Sequence, residues 1–330
     1  MDSRARVEAA LALKRADRPP SASWGHAYRA EWSPAELAAT TVERARRLEW
    51  DYVKFQPRAT CFAEVFGSRY EPSGTGRKGP ILVKPAVETL DDWARLPHAG
   101  AASPALADQV DAIGRVVAEL GPSIPVIQTV FSPLTVAGYL VGKSKPRAVR
   151  ELRKHPELVG PALDWIASAL AQFAAESVRA GAAGIFYAIS GYASEEAMPE
   201  EVYRELVLPH DRAVLDKLPP EAWFNVLHLC GSRLNFDLAK ELPVQAVSWS
   251  IHNRGNPGLA EGRARSGRAV MGGVGQRTPL ARDAAERIAA EVRAAIADTG
   301  GEGLLIAPGC SVPPWANEPA LRSIVTAAAA

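Results

Sequence analysis

Residues 223–250 read WFNVLHLCGSRLNFDLAKELPVQAVSWS. Two runs rich in β-formers, 223–229 and 244–250, flank a short helical pattern over 235–241. Strand, helix and strand in that order mark a βαβ unit, whose two strands lie parallel in one sheet. The alternation continues in both directions. Upstream stand a weak strand pattern SASWGH (21–26), then DYVKF (51–55), IPVIQTV (124–130) and GIFYAIS (184–190). Downstream stand RAVMGGV (268–274) and LLIAPGC (304–310). Helical patterns cover 3–16, 34–48, 105–120, 155–180, 200–217 and 279–297, and the Gly-rich turn Gly74–Gly79 marks a hairpin or excursion. Eight apolar runs separated mostly by helices favour the α/β class and a closed (β/α)8 TIM barrel over an open doubly wound sheet. No Pro/Ser-rich linker and no fixed-period repeat divides the chain, so 1–330 is expected to be a single barrel domain with an N-terminal helix.

Composition narrows the function classes. Apolar residues make up 47% of the 330, enough for a large core. A formal net charge of +1 gives no electrostatic reason to expect nucleic acid or an anionic membrane. The run Lys143–Arg147 reads as a solvated turn and helix start. No uninterrupted apolar stretch approaches the roughly 18 residues of a membrane span. Charges scattered through the first twenty residues are unlike a signal peptide. Three cysteines, far apart, make no disulfide framework. A soluble, cytoplasmic protein is expected.

The chemistry gathers at strand ends. Residues two apart on a strand point to one face, so His228 and Cys230 aim together, and Gly231 ends the run. The run at 244–250 leads into Ser250, His252 and Asn253, and the last run ends at Cys310. In a parallel barrel the C-terminal strand ends carry function. Two thiols and an imidazole there form a soft N/S set suited to zinc with one position open. Buried core thiols remain the plainer alternative. His252 is open as a fourth ligand, a substrate contact or a loop histidine. Cys61, in a helical-looking segment, reads as core. His26, Tyr28 and Arg29 after the first run, with Tyr187 and Tyr192 on and after the fourth, are candidates to line a substrate pocket. Gly272-Gly-Val-Gly275 resembles a phosphate loop but lacks a P-loop lysine, and no Ser/His/Asp elbow is visible.

Asp51-Tyr-Val-Lys-Phe-Gln-Pro-Arg58, followed by Ala63-Glu-Val-Phe-Gly67, then HLCG at 228–231 and APGCSVPP at 307–314, resemble the uroporphyrinogen decarboxylase superfamily. The resemblance runs in order over nearly the whole chain and implies a (β/α)8 barrel. One branch of that superfamily decarboxylates haem precursors; the other holds zinc-dependent methyltransferases that work with a corrinoid. The sequence departs from the decarboxylases where their substrate is held. An arginine-rich motif is replaced by Trp24–Arg29, Phe-Ser-Asp by Phe55-Gln56-Pro57, and a last-strand Gly-His-Gly by Gly309-Cys310-Ser311. His228, Cys230 and Cys310 match the His-x-Cys and distant Cys of the methyltransferase branch. The resemblance therefore implies Zn²⁺ on these three residues. It also implies methylcobalamin, or a separate corrinoid-binding protein, as methyl donor or acceptor. A thiol or other small molecule would be at the other end of the transfer. Where distant methionine synthases supply a glutamate as fourth ligand, this chain offers Ser250 and His252. A decarboxylase or lyase acting on a carboxylated small molecule is the alternative, and a non-catalytic binding barrel the third.

Overall fold

The computed structural model describes residues 1–330. Strand β1 (Val53–Phe55) is followed by an antiparallel hairpin, β2 (Arg69–Glu71) with β3 (Ile81–Lys84). Then come β4 (Val126–Phe131), β5 (Gly184–Ile189), β6 (Val226–Leu229), β7 (Ala246–Ser248), β8 (Ala269–Val274) and β9 (Leu304–Pro308). β1 and β4 through β9 pair in chain order as one seven-stranded parallel sheet, curled into a half-barrel. Every residue of β4, β5, β8 and β9 is buried. Such burial on both faces is what a parallel sheet with helices on one side and packed side chains on the other requires.

In-register pairs share a face, and the pairing defines which side chains point into the curl. Lys54 pairs with Ile127, Phe186 with Thr129, Ala188 with His228, and His228 with Ser248. Phe186 stacks on His228 with ring centroids 5.0 Å apart, so this face is the interior. Tyr187 therefore points the other way, into the helix layer.

Seven of the eight expected strands form. The run at 21–26 contributes only a bridge at Ser21. Ala22 N donates to Ile306 O at 3.1 Å, Ile306 N to Pro20 O at 2.8 Å, and Asp51 N to Ser21 O at 2.9 Å. The segment thus bonds to β9 on one side and to the residues leading into β1 on the other. Pro19 and Pro20 supply no N–H, which limits how far the ladder extends toward the N-terminus. The helix expected over 3–16 stops at Leu11. The one expected over 200–217 divides into Glu200–Leu206 and Leu208–Leu215, because Pro209 lacks the N–H that would carry the ladder through. The one expected over 279–297 runs instead from Ala284 to Thr299. Helix Pro156–Arg179 is long and apolar enough to cross a membrane by length and composition, and 56% of its most apolar window is buried within the protein.

Two buried carboxylates tie layers together. Asp51, 1% exposed, accepts from Ser3 Oγ (3.0 Å), Arg6 Nη1 (3.1 Å), Arg18 Nη2 (2.9 Å) and Ser21 N (2.9 Å). It thereby fixes the N-terminal helix and the Ser21 segment against β1. Asp211 accepts from Tyr187 Oη at 2.7 Å and Tyr203 Oη at 2.6 Å and is fully buried. Burial pushes its carboxyl up to about 7, against the lowering effect of the two hydroxyls.

Removing Asp51 takes the carboxylate from half-buried Arg18 and one of two acidic partners from Arg6, which keeps Asp17. Asp51→Ala should cost about 3 kcal/mol in urea unfolding, as for one partner taken from a buried ion pair. Asp211 has the opposite pH signature. Its folded pKa lies above the ordinary 3.8, so both states are protonated at low pH. As pH rises toward about 7 the unfolded chain ionises first, and Asp211 contributes a loss of stability across that window. Asp211→Asn should flatten that part of the stability profile between roughly pH 4 and 7, measured as the difference from wild type.

Candidate metal centre and its surroundings

His228 lies on β6, Cys230 just beyond its end, and Cys310 in the turn after β9. Their ligand atoms all lie within 4.8 Å of one another. A tetrahedral ion with 2.3 Å bonds has ligand–ligand edges of about 3.8 Å, so closing on one ion takes about an ångström or less. Two sulfurs and one imidazole nitrogen are the donors that zinc favours, and three protein ligands leave a position open. His228 Nδ1 lies 3.3 Å from Ser248 Oγ, which leaves Nε2 as the nitrogen free to face the thiols. Residues beyond the ligands that bond the second ring nitrogen fix tautomer and ring angle.

The thiols are coupled. Cys310 is held well below the ordinary thiol range by the neighbouring Cys230 thiol and His228 imidazole. Cys230 is pushed up, first because its proton is engaged by Cys310 and then by burial. Cys61 is fully buried in the core, as expected, and burial raises its thiol as well.

The other candidates are scattered. His252 Nε2 faces the Gly273 carbonyl at 3.2 Å and does not join the three ligands. Ser250 lies against Gly309, whose hypothetical Cβ would come 2.6 Å from Ser250 Cα, and its hydroxyl donates to Gln276 Oε1 at 3.2 Å. Tyr187 is spent on Asp211 in the helix layer. Tyr192 is buried with the Lys145 ammonium 5.5 Å from its ring centroid. Lys145 is in turn close enough for its charge to act on Cys230. Arg29 is exposed, and Tyr28 stacks on His26 at 4.8 Å. The Gly272–Gly275 run serves packing: Gly275 N donates to Glu291 Oε2 at 2.9 Å, and a Cβ on Gly273 would meet Ala295 at 2.7 Å.

His26 belongs to a polar string that sequence inspection did not assemble. The Lys54 ammonium donates to Gln56 Oε1, which also takes a long 3.5 Å contact from Ser311 Oγ. That fixes the amide, so Gln56 Nε2 donates to His26 Nε2 at 3.1 Å. The imidazole proton then sits on Nδ1 and is donated to Glu31 Oε1 at 2.6 Å. Glu31 Oε2 is buried without a partner. Lys54 is 5% exposed, and burial pulls its ammonium down to about 7 against the raising effects of Cys310 and Glu31. Ser248, Lys54 and Glu31 were not picked out from sequence. The available signal was the polar pair Lys54 and Gln56 alternating with apolar Val53 and Phe55.

The profile of the uroporphyrinogen decarboxylase (URO-D) family matches residues 6–330. The chain belongs to that family. It is 26% identical over 316 residues to a methylcobamide:CoM methyltransferase, MtaA, of Methanosarcina barkeri, covering 93% of this chain and 86% of that protein. To the methylcobamide:CoM methyltransferase MtbA of Methanosarcina acetivorans it is 25% identical over 215 residues, 65% of this chain. The match spans 61% of that MtbA, and only 50% of the MtbA of Methanosarcina mazei. Among solved structures, a methyltransferase from Methanosarcina mazei is similar at TM-score 0.82 and 20% identity, covering 99% of this chain and 98% of that one. A methionine synthase described as B12-independent, from a Shewanella species, is similar at TM-score 0.62 and 15% identity, covering 89% of this chain and 86% of that one.

The geometry orders the three thiols by reactivity. In chelator-treated native protein, iodoacetamide should label Cys310 first, and at lower pH than an ordinary thiol, because its proton leaves more readily. Cys61 should react only after denaturation. Peptide mass spectrometry over a pH series reads both. Equal labelling of all three in the folded protein would contradict the arrangement.

Proposed function

We propose that the protein is a zinc-dependent methyltransferase that moves a methyl group between a methylcorrinoid and a thiol or other small-molecule acceptor. The observation that carries this reading is the convergence of His228 and Cys230, from β6, with Cys310, from the end of β9 three strands away. Similarity to the methylcobamide:CoM methyltransferases supports it. We further propose that the Ser21 segment acts as the eighth stave, closing 1–330 into one barrel domain, because it bonds to β9 and to the residues leading into β1.

In this reading Cys230 and Cys310 bind as thiolates and His228 through Nε2, with Ser248 Oγ holding the ring. When bound, Zn²⁺ would lower the pKa of an acceptor thiol at the open position while the two protein thiolates cancel its charge, leaving that thiol nucleophilic. The low proton affinity of the Cys310 thiol prepares one ligand before any metal arrives. The Phe186 ring stacks on the His228 ring and shields it from competing donors. The donor or acceptor corrinoid is placed on a separate binding protein or free in solution. A cytoplasmic setting suits unpaired thiols, which an oxidising compartment would oxidise. Against the decarboxylase alternative, no carboxylate stands at Gln56-Pro57.

Purified protein should hold close to one zinc per chain. Cys230→Ala and Cys310→Ala should lose the metal while keeping a native circular-dichroism spectrum. Ser248→Ala should weaken zinc by about 10–100-fold, the usual cost of losing a partner behind a ligating histidine. Methyl transfer from methylcobalamin to small thiols, followed by loss of the methylcobalamin absorbance, should track zinc content across these variants. Full zinc stoichiometry in Cys310→Ala would overturn the three-ligand centre, and conversion of uroporphyrinogen to coproporphyrinogen would overturn the methyltransferase assignment.

A further inference from the structure

Lys54 is a buried lysine with no carboxylate in contact. It lies 5% exposed on the inward face of β1, and the hydrogen-bond partner of its ammonium is the neutral oxygen of Gln56. The ammonium is 4.8 Å from the Phe186 centroid and 5.7 Å from that of Trp24, and Cys310 is close enough for its charge to act on it. Aromatic faces favour a cation and cannot accept a proton from it. The carboxylate at the end of the polar string, Glu31, is separated from Lys54 by Gln56 and His26 and forms no ion pair with it. An ammonium has three donors, and one is spent on Gln56. Burial makes the charged form costly, and an anion supplied by a ligand would restore it. The place is also specific. Phe186 touches both the Lys54 ammonium and the His228 ring, so Lys54 lies one aromatic ring away from the candidate metal centre.

We propose that Lys54 is a specificity-determining residue that binds a carboxylate on the small-molecule substrate, so that the protein selects acids over otherwise equal neutral molecules. The proposal deepens the methyltransferase reading and rests on it for the position of the reacting atom. Gln56 orients the ammonium, with its own amide locked by the directional string through His26 to Glu31. The Ser311 hydroxyl, beside Cys310, is a second donor at the same place. The acid end would then sit inside the curl and the reacting end at the mouth. A neutral substrate would leave the ammonium buried and unmatched, which is a penalty as well as a lost bond.

The test uses two probes of equal chain length, 3-mercaptopropionate and 3-mercaptopropan-1-ol, measured by isothermal titration calorimetry on the zinc-loaded protein. Wild type should bind the acid at least about tenfold more tightly, as expected for a charge-assisted bond in a buried site. In Lys54→Gln the ratio should fall to about one with zinc stoichiometry unchanged. Lys54→Arg, which keeps the charge, should retain a preference and covers the case in which the glutamine variant does not fold. Equal binding of the two probes by wild type, binding of neither, or an undiminished ratio in Lys54→Gln would overturn the proposal. Repeating the pair on Cys310→Ala separates the two layers of argument. An acid preference that persists there without zinc supports Lys54 whatever the fate of the metal centre. Zinc retained by wild type with no acid preference leaves the metal centre standing and removes the role of Lys54.

Discussion

The curl of the sheet is the constraint on which the rest depends. β6 and β9 are separated in the sheet by β7 and β8. On a flat sheet three strand spacings amount to about 14 Å. Yet the ligand atoms of His228 and Cys230, from β6, and Cys310, from the end of β9, lie within 4.8 Å of one another. The difference comes from curvature, which turns a row of neighbouring strands into walls facing one interior. Curvature in turn needs side chains of compatible size inside, such as Phe186 and Met271, with the helical connections packed outside. The Asp51 network holds the N-terminal helix, Arg18 and Ser21 at the edge beside β1. Without that anchor, the Ser21 segment keeps only the backbone bond from Asp51 N to Ser21 O on the β1 side.

Much of this was legible in sequence for a simple reason. Parallel strands buried on both faces are short continuous apolar runs, and seven of these runs are strands in the structure. The same property hid which face each side chain occupies. GIFYAIS has no alternation to read, so nothing marked Tyr187 as facing the helices and Phe186 as facing the interior. The weak run at 21–26 was legible as apolar but not as a single bridge preceded by two prolines. His228 and Cys230 were legible because their spacing of two residues fixes a shared face without any tertiary knowledge. Ser248 was not, since its pairing with His228 depends on the register between β6 and β7. Register is a property of two strands together.

Buried polar groups in this protein fall into two kinds, and the contrast says where chemistry belongs. Asp51 and Asp211 are saturated: each accepts from several donors within the protein, and each joins secondary-structure layers. Groups of this kind stabilise and specify packing. Inside the curl the accounting is incomplete. Glu31 has an oxygen without a partner, Lys54 has no carboxylate in contact, and two thiols lie beside an imidazole. The orphaned groups lie along the interior from the mouth strands to β1, and the donors of the string all point one way, from Lys54 to Glu31. A core selected for stability alone would replace such groups with apolar ones, since partly satisfied polar networks are worse than none. Unpartnered atoms also occur elsewhere, at Gln109, Gln128, Arg233 and Arg268, but here they adjoin the soft donor set, and under the proposed function this region is a site whose missing partners arrive with a ligand. In the proposed reading the soft N/S set at the mouth would meet a reacting atom, and Lys54 behind it would hold the molecule that carries it.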